Sequence, residues 1–189
     1  MDKGFVLVST PYVVGDIDFH RSVIILINNS DKNYMGFIIN KKLDFSLREI
    51  TKKIKKHIPL YYGGPVERDN LFYIYKSKIK VNGTEKLTND ISWGGDFDEI
   101  LDLINKNIIS KNDIKFFMGY SGWSDIQLNN EIEDKSWELF DNPSQLMIFS
   151  NKTDMIWKSF IMSFGNKYIL WSNLPENPNH NWQIKLLHQ

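Results

Sequence analysis

The chain contains no cysteine. This absence excludes disulfide-stapled scaffolds, cysteine nucleophiles, zinc–thiolate sites and iron–sulfur clusters, because each of them needs a thiol or a sulfur ligand. Alanine is also missing, and arginine occurs only as Arg21, Arg48 and Arg68. A chain without cysteine is compatible with a reducing compartment, and we expect a cytoplasmic location.

Long hydrophobic runs are absent as well. The longest run, residues 23–27, has the length of a strand and lies far below the roughly 18 residues that suggest a membrane span. The first residues lack the pattern of an export signal. The 23 basic and 23 acidic side chains cancel, so no overall field draws the protein onto phosphate backbones or anionic membranes. We therefore expect no membrane association and no direct DNA binding.

The composition is that of one folded domain. Of the 189 residues, 42% are hydrophobic and 14% aromatic, and a chain of this size buries roughly 70% of its unfolded surface. No internal repeat or linker divides the chain, so we expect a single domain over residues 1–189. From about residue 173 we expect an irregular tail, because Pro175 and Pro178 disfavour regular structure.

Apolar periodicity predicts an α+β domain whose first third is rich in strands. Short apolar or β-branched runs indicate strands, and apolar residues at helical spacing behind capping residues indicate helices. The predicted strands are residues 5–9, 22–27, 36–40, 60–62, 71–75, 79–81, 114–120 and 168–172. The predicted helices are residues 46–56 and three more that begin at Asp96, Ser124 and Thr153, the last of them ending at Gly165.

Charge is segregated along the chain although it cancels overall. Residues 41–80 carry 11 cations and 4 anions, whereas residues 81–141 carry 5 cations and 13 anions. The favoured interpretation is that these charges face water or each other. The alternative is a basic helix, with Lys52, Lys53, Lys55 and Lys56, that binds a polyanion.

The motif Gly119-Tyr120-Ser121-Gly122-Trp123, between a strand and a helix, invites comparison with the nucleophile elbow of hydrolases. Its spacing does not fit, because Gly122 directly follows Ser121 and the sequence places no histidine base beside it. The four histidines also lack the spacing of a metal site. We therefore predict no catalytic residues, no metal site and no cofactor, and we interpret this motif and Gly63-Gly64-Pro65 as structural turns.

Two polar residues have competing interpretations. Arg21 directly precedes a buried strand, where its guanidinium can either hold several carbonyls together or bind an anion. Glu131 lies on the same face of its predicted helix as Gln127. A buried Glu131 tied to a backbone donor or to Arg21 is a structural lock, which we rank ahead of a catalytic acid.

The motifs also match a known family when they are taken together and in order. They are Phe19-x-Arg21-Ser22-Val23, Gly36-x-x-x-Asn40, Gly63-Gly64-Pro65-Val66, Leu87-Thr88-Asn89-Asp90 and Gly119-Tyr120-Ser121-Gly122-Trp123-x-x-x-Gln127-Leu128-x-x-Glu131. Over nearly the whole chain they resemble the YqgE/AlgH family of bacterial proteins. The resemblance implies one α+β domain with a bent, bifurcated, mostly antiparallel sheet that forms a pseudo-barrel flanked by about four helices.

The resemblance implies less about function. The family is largely uncharacterised, some members are described as candidate transcriptional regulators, and no catalytic residues carry over. Our first hypothesis is a non-enzymatic regulatory or binding protein that acts through a protein partner. The second is a small-molecule sensor or hydrolase-like enzyme with a pocket near Arg21 and the glycine turns. The candidate binding residues are Arg21, Asn40, Gly63, Gly64, Gly119, Gly122, Trp123, Gln127 and Glu131.

Overall fold

A curled, mostly antiparallel sheet of ten strands forms a half-barrel, with six helices around it. The structure is a computed structural model and describes residues 3–13, 16–30, 33–76, 81–141 and 143–173. The α+β class and the curled sheet confirm the expectation from the sequence. Within the described residues, no helix is long and apolar enough to cross a membrane.

The elements follow one another along the chain with short connections. The strands are β1 (Val6–Ser9), β2 (Val23–Ser30), β3 (Asn33–Ile38), β4 (Lys42–Ser46), β5 (Pro59–Tyr62), β6 (Val66–Lys76), β7 (Thr84–Lys86), β8 (Ile91–Gly94), β9 (Ile114–Ser124) and β10 (Trp137–Phe140). The helices are α1 (Leu47–Ile50), α2 (Phe97–Asn105), α3 (Asp125–Glu133), α4 (Gln145–Ile148), α5 (Thr153–Ser163) and α6 (Ile169–Asn173), with a 3-10 turn at Asn166–Tyr168.

Strand β9 lies at the centre of the sheet and divides it. One edge of β9 pairs with β6 as far as Tyr120, in antiparallel orientation. The other edge pairs first with β5, in parallel at residues 116–118, and then with β3, antiparallel at residues 121–124. Because β5 and β3 follow each other along one edge, the sheet forks there, and β3, β2, β1 and β10 form one branch.

Side chains alternate between the two faces of the strands and pack into three apolar clusters. The largest lies between the sheet and α5, the second lies under α2, and the third lies under α3. Each cluster takes its aromatic or aliphatic side chains from the face of the helix that the apolar periodicity predicts. The helices contribute Trp157, Phe160 and Ile161 from α5, Ile100, Leu101 and Ile104 from α2, and Leu128 from α3.

Local capping signals set the starts of the longer helices, as the sequence predicts. The Asp96 side chain accepts a hydrogen bond from the Glu99 N–H, and the Ser124 side chain accepts one from the Gln127 N–H. Helix α5 begins at Thr153, and Gly165 follows its end with a φ of 95°. These helices therefore begin where a short polar side chain satisfies a free backbone donor.

The predicted helix at residues 46–56 is wrong in length. Its capping box forms at Ser46 and Glu49, but α1 ends at Ile50. The Leu47 N–H donates to the Ile58 carbonyl, so the chain turns back at once and β5 pairs with β4. Pairing of distant strands overrides the local helical pattern here, because a single helical turn has little stability of its own.

The predicted strand at residues 168–172 is wrong. This segment lies in the 3-10 turn and α6, where the Tyr168 hydroxyl donates to Glu138 at 2.6 Å and Lys158 of α5 donates to Asn173 at 3.1 Å. A five-residue apolar run does not distinguish a strand from a helix by its periodicity. The predicted strand at 79–81 falls largely outside the described residues, and so does the predicted irregular tail after Asn173.

Candidate functional site

The Gly63-Gly64-Pro65 segment crosses over β9. It joins β5 to β6, which pair with opposite edges of β9, so the connection must pass over that strand. A Cβ at Gly63 would lie 2.1 Å from the Gly119 carbonyl oxygen, and a Cβ at Gly64 would lie 2.3 Å from the Tyr120 carbonyl. A Cβ at Gly119 would lie 2.6 Å from the Gly64 oxygen. All three glycines therefore allow backbone to pack on backbone.

Asn40 and Arg21 meet at the entry to β2. The Asn40 Oδ1 accepts from the Val23 N–H at 2.8 Å, and its Nδ2 donates to the Arg21 carbonyl at 2.8 Å. Arg21 has a φ of 50°, which is uncommon for a non-glycine residue. Its guanidinium carbon lies 4.9 Å from the Trp157 ring centre, and its Nη2 lies 3.4 Å from the Trp171 carbonyl oxygen. These contacts connect the entry of β2 to the C-terminal helices.

Glu131 accepts hydrogen bonds from two buried tryptophans. Its Oε2 accepts from Trp123 Nε1 at 2.9 Å and from Trp137 Nε1 at 2.6 Å, while its Oε1 accepts from Gln127 Nε2 at 2.8 Å. The ring of Phe19 lies against both indoles, with centroids 5.7 and 5.5 Å away. We call Trp123, Glu131 and Trp137 the indole lock. It joins β9, α3 and β10.

An open groove of about 450 Å³ lies over β3 and the last part of β9, beside the indole lock. Gly122 is exposed in this groove, and a Cβ built there would come no closer than 3.4 Å, to Tyr120 Cε2. Backbone packing therefore does not require a glycine at this position. The missing side chain instead leaves the groove open. The groove is lined by Asn33, Tyr34, Met35, Tyr120, Gly122, Trp123 and Ser124.

The structure brings only some of the candidate binding residues to this groove. Gly122 and Trp123 line it, and Gln127 and Glu131 support Trp123 through the indole lock. The crossing glycines and the Arg21–Asn40 pair are not among the lining residues. The sequence interpretation missed the remaining lining residues, because those on β3 reach β9 only through the strand register. The available signal was a glycine inside a strand, at Gly122.

Lys115 is a buried titratable residue that the sequence interpretation also missed. Its side chain is 2% exposed, its Nζ donates to the Ile39 carbonyl at 2.8 Å, and its Nζ lies 4.4 Å from the centre of the Tyr61 ring. Burial lowers the pKa of Lys115 to about 7, because removal from water disfavours the charged ammonium. A lone lysine within the apolar run of residues 114–118 was the signal.

We expect the folding stability to rise with pH between about 7 and 9 because of Lys115. The unfolded lysine keeps its proton up to its ordinary pKa of 10.5, whereas the folded one loses it near 7. The unfolded chain therefore binds more protons in this window, and the unfolding free energy rises by up to about 1.4 kcal/mol per pH unit. Lys115→Met removes that slope. Urea unfolding of both proteins across this window measures the difference between them.

Other titrating groups contribute equally to both proteins, so the difference in slope isolates Lys115. Burial raises the pKa of Tyr61, and raises that of Tyr73 to about 12, so these neutral phenols act only above the chosen window. Parallel stability curves for the wild type and Lys115→Met would show that the amine is already solvated in the native state.

The basic helix considered at residues 52–56 does not form. Lys53 lies in a turn, where its Nζ is 2.6 Å from Asp98 of α2. Lys56 donates to the Ile104 carbonyl and, at 2.8 Å, to Asn107. The basic and acidic parts of the chain thus meet within one molecule at α2. Among the described residues, no group of three or more His, Cys, Asp or Glu side chains is placed to hold a metal.

A family model described as AlgH-like matches residues 6–169. The chain belongs to the AlgH-like family. This confirms the resemblance on which the sequence interpretation relied. The matched range contains the crossing, the indole lock and the groove, so the features described above lie within the part of the chain that defines this AlgH-like protein.

Relatives and solved structures of the AlgH-like family support the same assignment. A UPF0301 protein of Bacteroides thetaiotaomicron is 35% identical over 181 residues, which cover 95% of this chain and 91% of the relative. A UPF0301 protein of Cytophaga hutchinsonii is 33% identical over 183 residues, covering 96% and 100%. A crystal structure of a Corynebacterium diphtheriae protein matches with a TM-score of 0.74 at 22% identity, covering 92% of this chain and 93% of that one. The solution structure of AlgH from Pseudomonas aeruginosa matches with a TM-score of 0.70 at 22% identity, covering 91% and 94%.

Proposed function

We propose that this AlgH-like protein is a non-enzymatic regulatory protein that binds a protein partner through the groove over β3 and β9. The observation that carries the proposal is Gly122. It is the glycine of the Gly-Tyr-Ser-Gly-Trp motif that the backbone packing does not require, and it lies exposed in the groove. A glycine inside a strand often marks a place where a ligand or another backbone approaches closely.

The chemistry of the groove supports a protein as its ligand. Tyr120, Met35 and Trp123 border it together with the small polar side chains of Asn33 and Ser124. Tyrosine, tryptophan and methionine are enriched in protein interfaces. The indole lock holds Trp123 from behind, so the floor of the groove is held in place before a partner arrives, which lowers the entropic cost of binding.

The second hypothesis, a small-molecule site at the glycine turns, receives less support. At the crossing, the space beside Gly63 and Gly64 is occupied by the backbone of residues 119–121. The transcriptional role that the family resemblance implies would accordingly be exerted through the protein partner, without direct contact of this chain with DNA. The meeting of Lys53 with Asp98 is consistent with that view, because it withdraws a cation from the basic segment.

Site-specific photo-crosslinking in cells tests the proposal. A photo-reactive amino acid replaces the exposed Asn33 at the groove, and the matched control replaces Ile108, which is 51% exposed in the loop after α2. We expect a discrete protein adduct at position 33 that is absent at position 108. Excess unlabelled wild-type protein should compete for it, whereas excess Gly122→Arg, whose side chain fills the groove, should compete about tenfold less well.

Identical adducts at both positions would contradict a groove-specific partner. Adducts that contain only nucleic acid would contradict the choice of a protein, and equal competition by Gly122→Arg and the wild type would contradict the role of the groove. Ile108→Arg serves as the control competitor, because it adds the same charge and length at an exposed position away from the groove lining.

A further inference from the structure

One edge of β9 continues beyond its neighbour. Strand β6 pairs with this edge up to the pair Val66–Tyr120, and residues 121–124 of β9 then pair only with β3, on the opposite edge. Within the described parts of the chain, no strand continues along the β6 side of residues 121–124. The groove lies over this stretch, and its lining includes Tyr120, Gly122 and Ser124.

The strand register shows which backbone groups point to the free edge. The Ile39 N–H donates to Val23 of β2, whereas the Ile38 N–H donates away from β2, to Gly63. Backbone groups of successive strand residues point alternately to the two edges, so the even-numbered residues of β3 direct theirs toward β9. In the register, these even-numbered residues oppose Ser121 and Trp123. Gly122 therefore directs its N–H and C=O to the free edge.

The free edge is accessible as well as unpaired. Gly122 and Ser124 are both exposed, and Gly122 has no side chain to cover its own backbone groups. Many proteins protect an exposed edge with a charged side chain, a proline or a bulge. Residues 121–124 contain neither a charge nor a proline. An added strand would supply the acceptor and the donor that these backbone groups lack.

Charge around the free edge favours a basic segment. Helix α3, which begins directly after Ser124, carries three carboxylates and no cation. At the other end, Glu67 and Asp69 follow Val66, while the guanidinium of the intervening Arg68 is 3.5 Å from Asp18. The net charge beside the edge is therefore negative, and it attracts lysine or arginine side chains through weakly screened, short-range interactions.

We infer that the free edge of β9 binds an extended, lysine- or arginine-containing segment of a protein partner, which adds to the sheet as a strand beside Gly122. This inference rests on the proposed function and specifies the kind of segment that the groove takes. Main-chain hydrogen bonds would provide affinity, and the flanking Tyr120 and the carboxylates would select the side chains.

A model peptide tests the inference directly. The probe is an end-blocked peptide of about six residues, the length of an ordinary strand, with valine and lysine in alternation. Two controls differ by one property each: the first is N-methylated at alternate residues, and the second has glutamate in place of lysine. Titration into the ¹⁵N-labelled full chain should shift the Gly122 and Ser124 amide resonances. We expect both controls to bind about tenfold more weakly or worse.

Two substitutions of Gly122 separate edge pairing from a general effect on the groove. Gly122→Pro removes the outward N–H without touching the β3 ladder, which does not use that group, and proline is tolerated at such edge positions. Gly122→Ala keeps the N–H and adds only a methyl group. We expect proline to weaken binding of the valine–lysine peptide about tenfold and alanine to leave it within about threefold.

Several outcomes would overturn the inference. They are no binding of the valine–lysine peptide at millimolar concentration, equal binding of the N-methylated control, or amide shifts that avoid Gly122 and Ser124. If Gly122→Pro does not fold, the N-methylated peptide still tests the same hydrogen bonds from the other side. A protein adduct at position 33 that persists when the peptide fails to bind would leave the proposed function standing and remove only strand addition.

Discussion

Gly63→Ala is expected to reduce the unfolding free energy by at least about 4 kcal/mol, placing it among the most damaging single substitutions in this chain. The new Cβ would lie 2.1 Å from the Gly119 carbonyl oxygen, and that oxygen belongs to the central strand of the sheet. Relief requires the β5–β6 connection to lift off β9, which breaks pairing on both edges of that strand. Urea denaturation followed by tryptophan fluorescence measures the loss.

Gly122→Ala is the matched control for this substitution. Neither Gly63 nor Gly122 has a positive φ, so both substitutions test space rather than backbone strain. At Gly122 the nearest contact is 3.4 Å to a tyrosine ring, and we expect a change within about 0.5 kcal/mol of the wild type. If Gly63→Ala were as stable as Gly122→Ala, the backbone crossing would be looser than the contact distances indicate.

Local signals predicted the elements that are stabilised locally. Asp96, Ser124 and Thr153 begin α2, α3 and α5 as expected, because a cap and an apolar stripe lie within a few residues of each other. The strands β4, β7, β8 and β10 were not predicted. They have three to five residues each, and their pairing with distant segments determines their conformation more than their own composition does.

The crossing shows why a motif can be recognised without being understood. Gly63-Gly64-Pro65 and Gly119 are more than fifty residues apart, and each was interpreted as a separate turn. In the structure, they are the two sides of one contact. Only the pairing of β5 and β6 with opposite edges of β9 reveals this, and strand order is a property of the whole sheet that a local sequence pattern does not contain.

The groove was predictable in part. Gly122 and Trp123 were identified as candidate residues through the family resemblance, and both line the groove. Met35 and Asn33 could not be found in this way, because they become neighbours of β9 through antiparallel pairing with residues 122 and 124. Arg21 and Glu131 were considered as a pair, whereas the carboxylate of Glu131 binds two indoles and the amide of Gln127.

The position of α3 explains why these two indoles meet. β9 and β10 are separated in the sheet by β3, β2 and β1. Helix α3 connects β9 to β10, and its Leu128 packs with Leu7, Ile24 and Leu26 of the intervening strands. Glu131 therefore reaches Trp123 on one strand and Trp137 on the other, and ties the two sides of this branch of the sheet together.

Glu131→Ala is expected to lower the unfolding free energy by about 3 to 5 kcal/mol. The substitution leaves the N–H groups of Trp123 and Trp137 without their acceptor, and both residues are less than 5% exposed. Each buried donor left unpaired costs about 1 to 3 kcal/mol. Urea unfolding measures the total, and a red shift of the native tryptophan emission should report water entering beside the indoles.

Glu131→Gln separates the geometry of the indole lock from its charge. The amide oxygen can accept from both indoles in place of Oε2, and the Gln127 side chain can rotate to offer its own oxygen to the new amide group. Only the charge assistance is lost, so we expect a decrease of about 1 kcal/mol. Glu133→Ala, an exposed carboxylate on the same helix, should stay within about 0.5 kcal/mol of the wild type. If Glu131→Ala matched Glu133→Ala, the indoles would have to find water or another acceptor at no cost, and the lock would not stabilise the fold.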